Sequence, residues 1–161
     1  MYKKFLTALL LAALVAITVA CSPQETVADS EAYLMVFQAN FSSERLPFLR
    51  GNYIAIDLSK VLYENPNQIK EVIENYLNGS DIVLLWENMD GLIKGGYLPN
   101  GDGYSENVRL FIYRDISLTE TKLETEIEEW AGNLYGHWDT YTVEKKSNTW
   151  KITKFVQGPV S

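Results

Sequence analysis

The chain has 161 residues, with 14 basic and 21 acidic side chains and a formal net charge of −7. A net acidic protein repels nucleic-acid phosphates and anionic lipid headgroups, so we expect no nucleic-acid partner. The single cysteine excludes a disulfide framework within the chain, and the single histidine excludes a site built from several histidine ligands. We therefore predict no metal and no cofactor.

The first twenty residues have the composition of an export signal. Lys3 and Lys4 give a basic start, and residues 5–20 form an apolar run without a charge. That run is shorter than the roughly 20 residues needed to span a hydrocarbon core. Small or β-branched residues occupy positions 18–20, directly before Cys21. Residues 1–21 resemble the signal peptide and lipobox of a bacterial lipoprotein.

This resemblance implies a cellular location and a means of attachment to the membrane. Cleavage would fall between Ala20 and Cys21, and Cys21 would carry a diacylglyceryl thioether and an acylated amino group. Two or three acyl chains make membrane attachment stable, because a single chain binds only marginally. In a Gram-negative cell, Ser22 would direct the lipoprotein to the outer membrane, since the usual retention signal is an Asp at that position.

Two other interpretations of the leader remain open. Thr18 stands where the lipoprotein pattern usually has Leu, and Thr18 with Ala20 also suits the ordinary signal peptidase. The protein would then be secreted without a lipid. In the third interpretation the segment stays uncut as a membrane anchor.

The rest of the chain divides into a tether and one domain. Residues 22–30 are polar and lack an apolar period, so we expect a flexible tether that reaches on the order of 15–18 Å. Residues 31–161 are enough for a single α+β domain with its own core.

The first part of this domain has helical spacing. We predict a helix over residues 31–39 after a Ser30 cap, a short strand at residues 53–56, and a helix that opens at Asn65-Pro66 and stops at Asn78-Gly79. Residues 82–86 fit either a buried strand or the start of the next helix, which would end at Gly95-Gly96. The predicted apolar positions of these helices are Ala32, Met35, Val36, Ala39, Ile69, Val72, Ile73, Tyr76, Leu77, Met89, Leu92 and Ile93.

From Asn107 onward the apolar period shortens towards two, which is typical of strands. Residues 120–130 fit either a strand or a helix, and we favour a strand whose alternating glutamates form a solvated face. A strand, a polar turn and a last strand follow between Tyr141 and Val156. The fold prediction is therefore helices packed on a curved antiparallel sheet of about four strands.

The closing hairpin carries a second resemblance. Residues 136–146 and 148–152, with Trp150 between polar residues after the turn, resemble the end of small exported α+β domains of the NTF2-like or cystatin-like type. The resemblance implies a cone-shaped domain. Such folds include binding modules and a few enzymes, so the fold does not assign the chemistry.

Few residues suggest chemistry. The chain has neither a Gly-x-Ser-x-Gly nucleophile elbow nor a phosphate-binding Gly-x-x-x-x-Gly-Lys loop, and we assign no catalytic residue. His137 and Asp139 would share a strand face and form an acid–base pair, or His137 is simply a strand-edge histidine. Residues 100–106 resemble a calcium loop but lack its spacing, so a glycine-rich turn is favoured.

Aromatic residues near glycines suggest a ligand site. Tyr97, Tyr135, His137 and Trp138 are the candidate rim of a ligand pocket, although most of the other aromatic side chains must fill the core. The sequence thus predicts a lipid-anchored envelope lipoprotein that binds an envelope protein or a small ligand. The alternatives are an enzyme that uses His137 with a carboxylate, and a structural or assembly protein of the envelope.

Overall fold

Helices and strands alternate in the first part of the domain, and strands alone make up the rest. The computed structural model describes residues 28–41, 53–98, 107–130 and 136–160. The elements are α1 (Ala28–Asn40), β1 (Tyr53–Lys60), α2 (Pro66–Leu77), β2 (Val83–Leu85), α3 (Met89–Lys94), β3 (Val108–Leu118), β4 (Lys122–Trp130), β5 (Gly136–Lys146) and β6 (Thr149–Val160).

The strands form one open sheet in the order β2-β1-β3-β4-β5-β6. β1 pairs in parallel with both β2 and β3, while β3 to β6 form an antiparallel meander. The α+β class is confirmed, but the prediction of about four strands is wrong, because the sheet has six. The two parallel pairs were also not expected. Each needs a crossover connection, which α2 and α3 supply, and β2 is too short for a periodic signal.

Helix α1 packs on the sheet through a face that differs slightly from the predicted one. Tyr33, Val36 and Phe37 are fully buried, whereas Met35 is half-buried and Ala39 is exposed. The helix begins at Ala28, so Ser30 lies within its first turn and is not the cap that we predicted. The helix therefore includes the last three residues of the predicted tether.

Helices α2 and α3 begin and end where local chemistry predicts. Asn65 is the N-cap position of α2, Pro66 occupies its first turn, and Gly79 follows the helix with a φ of 84°. A positive φ favours glycine because it has no Cβ. In α3, the Asn88 side chain accepts a hydrogen bond from the Gly91 amide at 2.9 Å.

The segments that fitted two structures are both strands. Residues 83–85 of the 82–86 segment form β2, and residues 122–130 form β4. The predicted closing hairpin is also confirmed. Its turn places Ser147 and Asn148 at φ 50° and 63°, and two successive positive φ values match the twist of a tight hairpin.

The two crossover helices cover opposite faces of the sheet. Ile56 and Phe111 pack with α1 and α2 in the main core, whereas Ala55 and Leu110 pack with Leu92 of α3. On the same face, the partly exposed Glu124, Glu126 and Glu128 of β4 form ion pairs with Arg114 and Lys122. This matches the solvated acidic face that the sequence predicted.

Candidate functional site

A cleft of about 300 Å³ lies at the carboxyl ends of β1 and β2, beside the first turns of α2. Residues from the end of β1, from α2 and from the β2–α3 connection line it: Ile56, Asp57, Leu58, Ser59, Pro66, Lys70, Trp86, Glu87 and Asn88. In sheets with parallel strands, ligands generally bind beyond the carboxyl ends of the strands. The position of the cleft therefore makes it the leading candidate site.

Asp57 is the most buried charged residue of the cleft. Its side chain is 9% exposed, and one carboxylate oxygen accepts a hydrogen bond from the Ser59 amide at 2.8 Å. The other oxygen makes no protein hydrogen bond within the part of the chain that the structure describes. The register of β1 against β3 shifts between Asp57 and Lys60, so regular pairing is interrupted at this carboxylate. This second oxygen is not among the fully buried side-chain atoms without a partner, so a donor group of a ligand can reach it.

Helix α2 holds the Trp86 ring in the cleft wall. The indole Nε1 donates a hydrogen bond to Glu74 Oε1 at 2.6 Å, and Lys70 Nζ lies 5.7 Å from the ring centroid. Lys70 and Glu74 are four residues apart, so they lie on the same side of the helix. Together they fix the ring by a hydrogen bond and a cation–π contact.

Glu87 adds a second carboxylate from the start of α3. A Cβ atom on Gly91 would lie 2.0 Å from Glu87 Oε2, so the glycine gives this carboxylate room over the first helical turn. The Asn88 side chain is engaged by the cap of α3. The cleft thus combines two carboxylates with the ammonium group of Lys70, which makes its formal charge negative.

This cleft was not predicted from the sequence, because an antiparallel sheet was expected. The available signal was the strand–helix–strand order from Tyr53 to Leu85, which is typical of a parallel β–α–β unit. Such a unit would have directed attention to the residues that follow β1 and β2.

Of the predicted rim residues that the structure describes, His137 lies apart from Tyr97 and Trp138. Tyr97 contacts Tyr53 with ring centroids 5.2 Å apart, on the sheet face that α3 covers, and half-buried Trp138 projects from that same face. His137 is buried on the opposite face, and Tyr135 lies outside the described residues. Cys21 and the glycine-rich segment of residues 100–106 also lie outside them.

His137 and Asp139 share a strand face, as predicted. Their Nε2 and Oδ1 atoms are 2.8 Å apart, and the residues are 4% and 2% exposed. The angles between these two atoms do not fit a hydrogen bond. His137 Nδ1 is also buried without a hydrogen-bond partner among the described residues. Beside this pair, β6 bulges at Gly158, where a Cβ atom would lie 2.0 Å from the Trp138 carbonyl oxygen. Bulges often reorient side chains next to functional sites.

A partly buried carboxylate, Asp115, lies near the carboxyl end of β3. Its Oδ2 accepts hydrogen bonds from the Tyr33 hydroxyl and from the Leu62 amide, the latter at 2.8 Å. Burial raises the pKa of Asp115, and these two hydrogen bonds only partly offset that effect. Asp115 therefore ties β3 to α1 and to the start of the β1–α2 connection.

Within the described ranges, no group of three or more His, Cys, Asp and Glu side chains is placed to hold a metal ion. None of the helices described is both long and apolar enough to cross a bilayer. Comparison with protein-family models, curated proteins and solved structures finds no match to this chain. Function is therefore inferred from the geometry of the cleft.

Proposed function

We propose that this protein is a lipid-anchored lipoprotein of the bacterial cell envelope whose domain binds a small polar ligand. Cys21, which follows an apolar run that is too short to span a membrane, supports the anchor. Ser22 supports the outer membrane as the destination in a Gram-negative host. The partners of the protein are then the membrane, through its lipid, and the ligand of the cleft.

The observation that carries the binding role is the composition of the cleft. A largely buried carboxylate, a cation and a fixed Trp ring line one volume, and such convergent polar groups beside an apolar surface are typical of ligand sites. By contrast, the large aromatic side chains between α1 and the sheet are fully buried and fill the core.

The NTF2-like or cystatin-like cone is part of the same proposal. Helix α1 packs on β5 and β6 of the meander, which supports it. In this interpretation the ligand site is displaced from the interior of the cone to the carboxyl edge of β1 and β2.

Two measurements test the proposal. Intact mass analysis of membrane-extracted protein should show acyl chains on a chain that begins at Cys21, and Cys21→Ser should lose both the acyl mass and the membrane fraction. Native mass spectrometry of envelope-extracted protein should show a small bound mass that is lost in Asp57→Asn and retained in Asp81→Asn, whose exposed carboxylate lies before β2. An unmodified Cys21, or no difference between the two Asn variants, would contradict the corresponding half of the proposal.

A second candidate is acid–base catalysis by His137. The 2.8 Å separation of His137 Nε2 and Asp139 Oδ1 favours it, because a carboxylate can orient an imidazole for proton transfer. Both groups are almost fully buried, so a substrate would need access that the described residues do not provide. If His137→Ala leaves both the growth phenotype and any detected turnover unchanged, this candidate fails.

A further inference from the structure

The charges of the cleft indicate what kind of small ligand it binds. Asp57 uses one carboxylate oxygen for the Ser59 amide, and its other oxygen has no protein donor among the described residues. Glu87 supplies a second carboxylate to the same lining. A ligand ammonium group would donate to these oxygens, and hydrogen bonds between charged groups are roughly twice as strong as neutral ones.

Lys70 supplies the opposite charge. Its ammonium contacts the Trp86 ring, and in the described part of the chain it makes no ion pair with a carboxylate. The Glu74 carboxylate one turn further along α2 accepts from the Trp86 indole. Lys70 therefore keeps donors for a ligand carboxylate, since an ammonium group has three and the ring uses none of them as a conventional hydrogen bond.

These two features exclude simpler ligand classes. A plain anion would face two carboxylates, and a plain amine would leave Lys70 without a partner and beside a like charge. A zwitterion offers an ammonium group to the two carboxylates and a carboxylate to Lys70. The Trp86 ring with Ile56 and Leu58 gives an apolar surface for a third substituent.

The volume limits the size of this ligand. About 300 Å³ lies at the small end of the range for ligand pockets. We infer that the cleft binds a small zwitterion of the α-amino-acid class, with its ammonium group at Asp57 and Glu87, its carboxylate at Lys70, and its side chain against Trp86. This inference rests on the proposed ligand-binding function of the same cleft.

The test uses the full-length protein in mild detergent, labelled with 5-fluorotryptophan. The chain has four Trp residues, and Trp86→Phe assigns the ¹⁹F signal of the cleft. The probes are L-leucine and L-phenylalanine, then isopentylamine and 4-methylpentanoate, which each lack one charged group of leucine, and O-phosphoethanolamine, in which a phosphate replaces the carboxylate.

We expect the amino acids to shift the Trp86 signal in a saturable way, and isopentylamine and 4-methylpentanoate to bind at least tenfold more weakly than leucine. Asp57→Asn and Lys70→Gln should each weaken leucine binding by roughly tenfold to a hundredfold, the range of a lost charged hydrogen bond. The matched variants Asp81→Asn and Lys154→Gln, which change exposed charges outside the cleft, should leave it unchanged.

The possible failures are distinguishable. If isopentylamine or O-phosphoethanolamine binds at Trp86 as tightly as leucine, the cleft binds ligands but the amino-acid assignment is overturned. If no probe shifts the Trp86 signal at millimolar concentration, the amino-acid assignment is again overturned. A small mass that Asp57→Asn loses in native mass spectrometry would still support the proposed function, whereas its absence would remove that function as well.

Discussion

We expect loss of the hydroxyl group to change stability in opposite directions at two buried tyrosines, Tyr113 and Tyr141. Tyr113 is fully buried, and its hydroxyl has no hydrogen-bond partner among the described residues. Burial raises the pKa of Tyr113 above its ordinary range, and the nearby Tyr141 adds to this effect, so the hydroxyl stays neutral. Tyr141 is 4% exposed, and its hydroxyl donates to Asn40 Oδ1 at 3.2 Å.

The magnitudes follow from these contacts. A buried polar group without a partner costs about 1–3 kcal/mol, so Tyr113→Phe should raise the free energy of unfolding by about 1–2 kcal/mol after the loss of a little packing. Tyr141→Phe removes a hydrogen bond and leaves Asn40 Oδ1 buried without that donor. It should therefore lower the free energy of unfolding by about 1–3 kcal/mol.

Urea unfolding followed by circular dichroism measures both variants against the wild type. The slope of the free energy with urea should not change, because both variants expose the same surface on unfolding. The melting temperature should rise in Tyr113→Phe and fall in Tyr141→Phe, by about 4 °C for each kcal/mol. If Tyr113→Phe lowers the free energy of unfolding by more than about 0.5 kcal/mol, the Tyr113 hydroxyl has a partner and the reasoning is refuted.

Two further predictions concern a partly buried carboxylate and a close backbone approach. Because burial raises the pKa of Asp115, the folded state binds its proton more tightly than the unfolded state does, and stability should fall as pH rises from the ordinary Asp pKa through the raised one. Asp115→Asn should remove this loss in urea titrations between pH 3 and pH 8. Gly158→Ala should destabilise by about 1–3 kcal/mol, because its Cβ would lie 2.0 Å from a backbone oxygen, whereas Gly91→Ala should be nearly neutral because it meets only the flexible Glu87 side chain.

A different experimental result would contradict each of these two predictions. An Asp115→Asn variant with the same pH dependence as the wild type would show that another group causes it. Equal melting temperatures for Gly158→Ala and Gly91→Ala would show that β5 and β6 separate easily at the bulge, so that the approach of Gly158 to Trp138 is not a constraint.

Local chemistry was enough to predict most elements. The start of α2 at Asn65-Pro66, its end before Gly79, and the end of α3 before Gly95-Gly96 depend on a few adjacent residues. The alternation that leads into β4 and the closing hairpin is equally local, because side chains of a strand project to alternate faces. The placement of His137 and Asp139 on one face followed from that alternation alone.

Beyond the strand–helix–strand order of β1, α2 and β2, the pairing of distant strands was not readable from the chain. Whether β1 pairs in parallel with β2 and β3 depends on how α2 and α3 pack on opposite faces, and no short sequence pattern encodes that choice. The resulting sheet separates His137 from Tyr97 and Trp138. It also brings Asp57, Lys70 and Trp86 together from three different elements.

The sequence by itself thus predicted most of the elements, the ends of α2 and the exposed face of β4, because these depend on neighbours along the chain. The lipoprotein-like leader, with Cys21 as the expected anchor, is also a prediction from the sequence alone. The tertiary structure alone decided the six-stranded order, the mixed pairing and the cleft. Those features depend on contacts between residues far apart in sequence, whose energies are settled only when the whole core packs.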